Sequence, residues 1–313
     1  MKRLILILAF LFASTLGVFA EGGRFALVIG NADYESLPVL RNPARDAEAV
    51  ANQLSHLGFT AYLTQDVSRT EMERAFSIFQ EKAAFAETVV FYFAGHAASI
   101  GPENFLFSSQ FEPNSEAGVN ESIALRQILE EFLPNAPTRL VFLDACQEAL
   151  EIETPNERIK AQAISPDFPP LNTLIATASA PGTSAHDGVG RHSLFTGALL
   201  DNLSAPNLDV ELMLRMTARD TMINSQGIQR PQTQSNLTDR FFFNRDPNLP
   251  LQSLPSAADR PLTHSGYAQK SILHSIANGI VAPETQDNST PEMAKLIAHL
   301  CGKLDSDKPE ICL

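Results

Sequence analysis

Four short runs of almost uninterrupted apolar residues constrain this chain more than any other feature: 24–30 (RFALVIG), 88–93 (TVVFYF), 139–143 (RLVFL) and 172–177 (NTLIAT). Each is too short for a helix and too apolar for a strand with one wet face, so each reads as a strand buried on both sides. A fifth strand, 59–64, is less apolar. Between the runs lie stretches of helical period. Asn42-Pro43 places an N-cap residue before a proline at the first helical position; Ala47, Val50, Ala51, Leu54 and Leu57 then line one face, and Gly58 ends the helix. Ser68 with Glu71 three residues on forms a capping box, followed by Met72, Ala75, Phe76 and Phe79 on one side. Further helices are expected over 123–133, stopped before Pro134, over 194–203 and over 210–222, with a short hairpin near 105–107. Strands alternating with helices predict an α/β domain with a mostly parallel sheet covered on both faces.

The two ends differ from this middle. Lys2 and Arg3 precede an apolar run over 4–12 and small residues up to Ala20. That is the order of a secretory signal peptide, with cleavage expected after Ala20 and an exported, periplasmic or secreted, mature protein. The apolar run falls short of the roughly 20 residues that a spanning helix needs. Residues 246–261 are rich in Pro, Ser and Asp and read as a linker, and 267–280 and 291–300 as short helices. The expected organisation is therefore a signal peptide over 1–20, a globular domain over 21–245 and a linker with a short helical tail over 246–313.

Without Lys2 and Arg3, 21 of the 23 Lys and Arg remain against 36 Asp and Glu, a net charge of −15. Such a chain repels nucleic acid and anionic membranes. Cys146, Cys301 and Cys312 are its cysteines. Cys301 and Cys312 lie close enough in sequence to pair, which export permits. Cys146 is then the odd one, either a functional thiol or a small buried hydrophobe.

In a parallel sheet ligands bind beyond the carboxyl ends of the strands. The third strand leads into Ala94-Gly95-His96 and the fourth into Asp144-Ala145-Cys146, each reactive residue about three positions past its run. On neighbouring strands, roughly 5 Å apart, the two would share a cleft. An imidazole beside a thiol can take its proton and deliver it to a leaving amine, and the backbone amides of Ala97 and Cys146 are candidate donors to an oxyanion. One Cys and one His are too few for a metal site, and no CxxC, HxxxH, GxGxxG or G-x-S-x-G pattern occurs. No cofactor is expected. His56, His264, His274 and His299 lie away from the strand ends.

Together RFALVIGNADY, LRNPARDAEAV, VVFYFAGHA, RLVFLDACQ, TLIATASAPGTSAHDG and RHSLFTGALL, in this order, resemble the caspase and metacaspase superfamily, closest to its bacterial members, over about residues 24–243. The 50 positions from His96 to Cys146 match the caspase spacing. The resemblance implies a caspase-like three-layer α/β sandwich, a His96/Cys146 dyad and cleavage of peptide bonds after a selected P1 side chain. Metacaspases carry Asp two residues before the nucleophile, here Asp144, and a second acidic pocket residue that matches Asp46. Two carboxylates suit a guanidinium or an ammonium, so cleavage after Arg or Lys is implied. The stretch 180–186 matches the segment that pairs with substrate backbone, which puts Ser184 and Ala185 at the S1 pocket, with His186 and His192 at the cleft rim. A monomer acting on peptide or protein substrates is expected.

Two departures stand out. Family members usually have Gly after the catalytic His, where this chain has Ala97, a strained choice if that position needs positive φ. Gln147-Glu148-Ala149 replaces the usual residues after the nucleophile. A catalytically weak or inactive peptide-binding relative is the alternative reading. The segment 148–170, with Arg158 and Lys160, sits where relatives are cut during activation. Some metacaspases need calcium, but no oxygen-ligand pattern in this chain assigns a site.

Overall fold

A computed structural model describes residues 23–100, 103–113, 119–146, 151–153, 158–160, 169–180 and 190–253. The chain divides into two units, Met1–Pro255 and Ser256–Leu313, and all described residues belong to the first. The candidate signal peptide over 1–20 and the helices expected over 267–280 and 291–300 lie outside the described residues.

The central sheet is made of β1 (Arg24–Gly30), β2 (Thr60–Gln65), β3 (Thr88–Ile100), β6 (Thr138–Cys146), β9 (Thr173–Thr177) and β10 (Gln232–Ser235). Their order is β10-β9-β6-β3-β1-β2. All neighbours pair parallel except β9 and β10. β4 (Glu103–Phe107) turns back antiparallel on the end of β3, and β5 (Ser122–Ala124) pairs with β4. The four apolar runs are all strands, and they fill the four interior places of the sheet, between β10 and β2.

Even-numbered side chains of the central strands, among them Val28, Tyr92, Ala94 and Phe142, share one apolar cluster. They pack under α1 (Pro43–His56), α4 (Leu194–Leu203) and α5 (Val210–Asn224). Odd-numbered ones, among them Leu27, Phe91, Phe93 and Val141, pack under α2 (Arg69–Lys82) and the segment after β5. This period-two split is the alternation of a pleated strand. The result is the expected three-layer α/β sandwich.

Local signals placed most helix ends. Ser68 and Glu71 form the complete capping box, and Gly58, at φ +86°, follows the end of α1. Asn42 is at the N-cap of α1 but has helical backbone angles, and its side chain does not cap; its Oδ1 accepts from Arg45 Nη2 at 2.6 Å. The helix expected over 123–133 is instead strand β5 followed by α3 (Leu125–Gln127) and a wide π turn, Ile128–Phe132. There Ser122–Ala124 pairs with Phe105–Phe107, a long-range contact that overrides helical period. Sequence reading also missed β10 and the ribbon of β7 (Glu151–Glu153) with β8 (Arg158–Lys160). β10 is four polar residues, Gln-Thr-Gln-Ser, on the sheet edge, so it lacks an apolar signature.

β3 and β6 are longer than their apolar runs, because their parallel ladder continues through Ala94↔Asp144, Gly95↔Ala145 and His96↔Cys146. The two residues therefore end a shared ladder and do not lie three positions beyond it. At the other end, the Arg24 guanidinium donates to the carbonyls of Leu57, Phe242 and Phe243 at 2.9–3.1 Å and lies over the Phe59 ring. It ties the start of β1 to the last turn of α1 and to the C-terminal segment of the domain.

Gly30 sets how closely α1 approaches the sheet. A Cβ there would lie 2.5 Å from the Pro43 carbonyl oxygen and 2.6 Å from Ala47 Cβ. Gly30→Ala should cost roughly 2 kcal/mol by overpacking. It should lower the urea midpoint without changing the slope, and an unchanged midpoint would show that α1 tolerates a shift.

Candidate active site

Just past the end of the β1 pairing with β3, Gly95 is the residue that the geometry demands. A Cβ at this position would fall 2.5 Å from Tyr34 Oη and 3.2 Å from the Asn31 carbonyl oxygen. The gap lets Tyr34 Oη accept the His96 backbone N–H at 2.8 Å, while the Tyr34 ring meets the imidazole edge-on at 4.6 Å between centroids. The His96 ring is fully buried, and its Nε2 lies 2.8 Å from the Pro38 carbonyl oxygen. A carbonyl only accepts, so Nε2 carries the hydrogen and Nδ1 is the basic nitrogen of the neutral ring. Sequence reading missed both partners, since Tyr34 and Pro38 sit in a loop with no periodic pattern.

That loop is anchored from several sides. Asp66 Oδ1 accepts the amides of Ala32 and Asp33 at 2.7 and 2.9 Å. Asn31, fully buried, donates to the Phe107 carbonyl and accepts the Val67 amide at 3.0 and 3.1 Å. Glu35 N–H bonds the Ser109 carbonyl at 3.0 Å. The loop that carries the acceptor on His96 is thus held by backbone and side-chain bonds to two separate segments, 66–67 and 107–109.

Ala97 does not strain the loop. It is absent from the positive-φ residues, pairs antiparallel with Leu106 and packs in the odd-numbered cluster at 2% exposure. The expected need for glycine falls at Gly95 instead, one position before the histidine. Because the His96 amide is committed to Tyr34, the Ala97 amide is the next N–H along the chain. Cys146 stands beside His96 in the ladder.

Asp46 is 1% exposed and Asp144 is 4% exposed, so neither is a solvated charge. Asp46 comes from α1 and Asp144 from β6, and Ser193 at the start of α4 joins them. Its backbone N–H donates to Asp46 Oδ2 at 3.1 Å and its hydroxyl to Asp144 Oδ2. The same hydroxyl accepts the Thr196 amide at 3.0 Å, capping α4. Thr196 Oγ1 donates to Asp144 Oδ2 at 2.5 Å and meets Tyr92 Oη at 2.6 Å. His192, partly exposed, bonds Asp46, with Nδ1 2.6 Å from Oδ1. Burial pushes the Asp46 carboxyl above the usual carboxylate range, against the opposing pull of the Ser193 amide and His192.

Sequence reasoning found the two carboxylates but not the hydroxyls and amide that hold them. The one local hint was a serine immediately before an apolar helix, a cap signal that says nothing about Asp144. Ser184, Ala185, His186, Cys301 and Cys312 lie outside the described residues. His56 is exposed, with Nδ1 2.8 Å from the Asn52 carbonyl oxygen. Among the described residues no three His, Cys, Asp or Glu could hold a metal ion, and no helix is long and apolar enough to cross a membrane.

Two measurements test this network. Ser193→Ala removes a helix cap and a hydroxyl from a buried carboxylate, and should cost roughly 3 kcal/mol in urea unfolding; a loss under about 1 kcal/mol would mean that the carboxylates hold without it. For Asp46, the unfolded chain releases its proton near the ordinary value of about 3.9, while the fold retains it to higher pH. Between the two values the native state binds more protons, so stability falls as pH rises. Relative to Asp46→Asn, wild type should therefore lose stability as pH is raised through that interval, and a flat difference would refute the assignment.

A family model described as Caspase domain matches residues 23–242. Among solved structures, the crystal structure of caspase-1 from Spodoptera frugiperda is similar at 17% identity and a TM-score of 0.54, covering 73% of this chain and 92% of that one. No curated protein matches the chain. The structural likeness supports the fold, the family match spans nearly all of the sandwich, and the chain belongs to the caspase domain family, a family of cysteine peptidases.

Proposed function

We propose that this protein is a cysteine endopeptidase that cleaves peptide bonds after Arg or Lys, with Cys146 as nucleophile and His96 as general base and acid. The observation that carries this reading is the ladder position of His96 beside Cys146, with the imidazole tautomer set by the Pro38 carbonyl. With hydrogen on Nε2, Nδ1 is left to take the thiol proton. The thiolate attacks the scissile carbonyl carbon, and the oxygen becomes an anion facing backbone N–H groups, those of Ala97 and Cys146 being the candidates. The imidazolium then protonates the departing amine, leaving an acyl thioester. Water, deprotonated by His96, attacks the thioester, and collapse of the second intermediate releases the carboxylic acid and returns the proton to sulfur.

Asp46 and Asp144 are assigned to the base of the S1 pocket. Two buried carboxylates within reach of one serine make a site for a cation, and a guanidinium can engage both. Ser184 and Ala185 are assigned to the wall of the same pocket on the family resemblance. We also infer export as a monomer, on the leader-like run over 1–20 and the spread-out acidity of the remainder.

Fluorogenic peptides with Arg, Lys or Asp at P1, offered under reducing conditions, test the reading. Wild type should release the fluorophore after Arg and Lys but not Asp, and Cys146→Ala and His96→Ala should each lower kcat by more than about a thousandfold. Release after Asp would refute the pocket assignment. Absence of release with any peptide would favour a peptide-binding protein that retained the cleft.

A further inference from the structure

The Asp46 carboxylate has two partners within the chain itself. Its Oδ2 is held by the Ser193 backbone N–H at 3.1 Å, and its Oδ1 by His192 Nδ1 at 2.6 Å. These contacts differ in how easily they are given up. The Ser193 amide is main chain at the cap of α4 and cannot leave without disturbing the first turn of that helix. The His192 contact is made by a side chain alone, 23% exposed where that of Asp46 is 1% exposed, and rotation about its own bonds releases it.

There is also room for the ring to move. His192 lines a cavity of about 420 Å³ together with Arg191, Gly197, Asp201 and Asn224. Even a Cβ built on Gly197 would stand 3.8 Å from His192 Cβ, so the start of α4 does not crowd the histidine. A buried carboxylate without a donor is costly, and a partner that can be exchanged removes that cost while the pocket is empty.

We propose that His192 is a specificity-determining residue that stands in for the substrate's cation: its imidazole N–H occupies Asp46 until a basic P1 side chain takes its place. This rests on the assignment of Asp46 and Asp144 to the S1 pocket. A P1 guanidinium or ammonium then binds against an internal competitor. The competitor weakens binding of ground state and transition state alike, so it acts on KM and leaves kcat alone. Neutral P1 side chains gain nothing by displacing it, because they offer no charge in exchange for a bond to a carboxylate.

The test uses n-butylguanidine, an arginine side chain with a methyl group in place of its Cα, and peptides with Arg at P1, at pH 8. In His192→Ala the calorimetric Kd for n-butylguanidine and the KM for the Arg peptide should both fall about three- to tenfold, the worth of one partly exposed hydrogen bond to a charged group. kcat should not change. His192→Asn, whose amide N–H sits where Nδ1–H does, should restore wild-type values. In wild type the His192 Nδ1 resonance should shift as n-butylguanidine saturates the site, a reading that needs no variant. Equal Kd and KM in all three proteins, or tighter binding by wild type, would overturn the role of His192 while leaving the pocket assignment intact. If n-butylguanidine binds none of them and the Arg peptide is not cleaved, the pocket assignment itself fails, and this inference with it.

Discussion

The parallel ladder between β3 and β6 is the constraint on which the rest of the molecule depends. It runs unbroken from Thr88↔Thr138 to His96↔Cys146, so residues 50 positions apart in sequence come side by side at the carboxyl end of the ladder. A slip of one residue would exchange the two faces of β6. Asp144 would then meet the apolar layer under α2, and Val141 and Leu143 would face α4. The two apolar clusters therefore enforce the register, and the register in turn positions the site. Stability and function meet here in one set of contacts.

Beyond the ladder, polar groups are committed in a consistent way. Buried ones are paired through backbone elements that the core already fixes: Asn31 with Phe107 and Val67, His96 with Tyr34 and Pro38, and the two carboxylates with the first turn of α4. The N-terminus of α4, with its partial positive charge, faces Asp144 and Asp46, which favours their ionised forms and offsets part of the cost of burial. Of the two contacts on Asp46, the Ser193 one is made by main chain and the His192 one by a side chain alone. That difference in attachment separates a scaffold bond from one that a ligand can replace.

Much of the fold was legible because its signals are local. The capping box at Ser68 and Glu71, the glycine after α1 and the extents of β1 and α4 follow from interactions within a turn or a strand, and all are as expected. The misreadings share a different cause. Residues 123 and 124 have helical period but are drawn into a strand by β4, and β10 is a polar edge strand that only its pairing with β9 defines. The strain expected at Ala97 is missing because β4 pairing carries it through in extended form, while the close approach of Tyr34 moves the need for glycine to position 95.

For the site, sequence alone determined the chemical alphabet: an imidazole and a thiol at the ends of two apolar strands, and two acidic residues near them. Their types, order and spacing are written into the chain and match a family pattern. Only the tertiary structure decided what each group touches. The Pro38 carbonyl that selects the His96 tautomer is 58 positions away, and the serine and histidine that hold Asp46 are 147 and 146 positions away. Such contacts leave no periodic trace, because they are set by where the sheet register and the packing of α1 and α4 bring the backbone. A carboxylate's neighbours, and hence its charge and its availability to a substrate, belong to the fold.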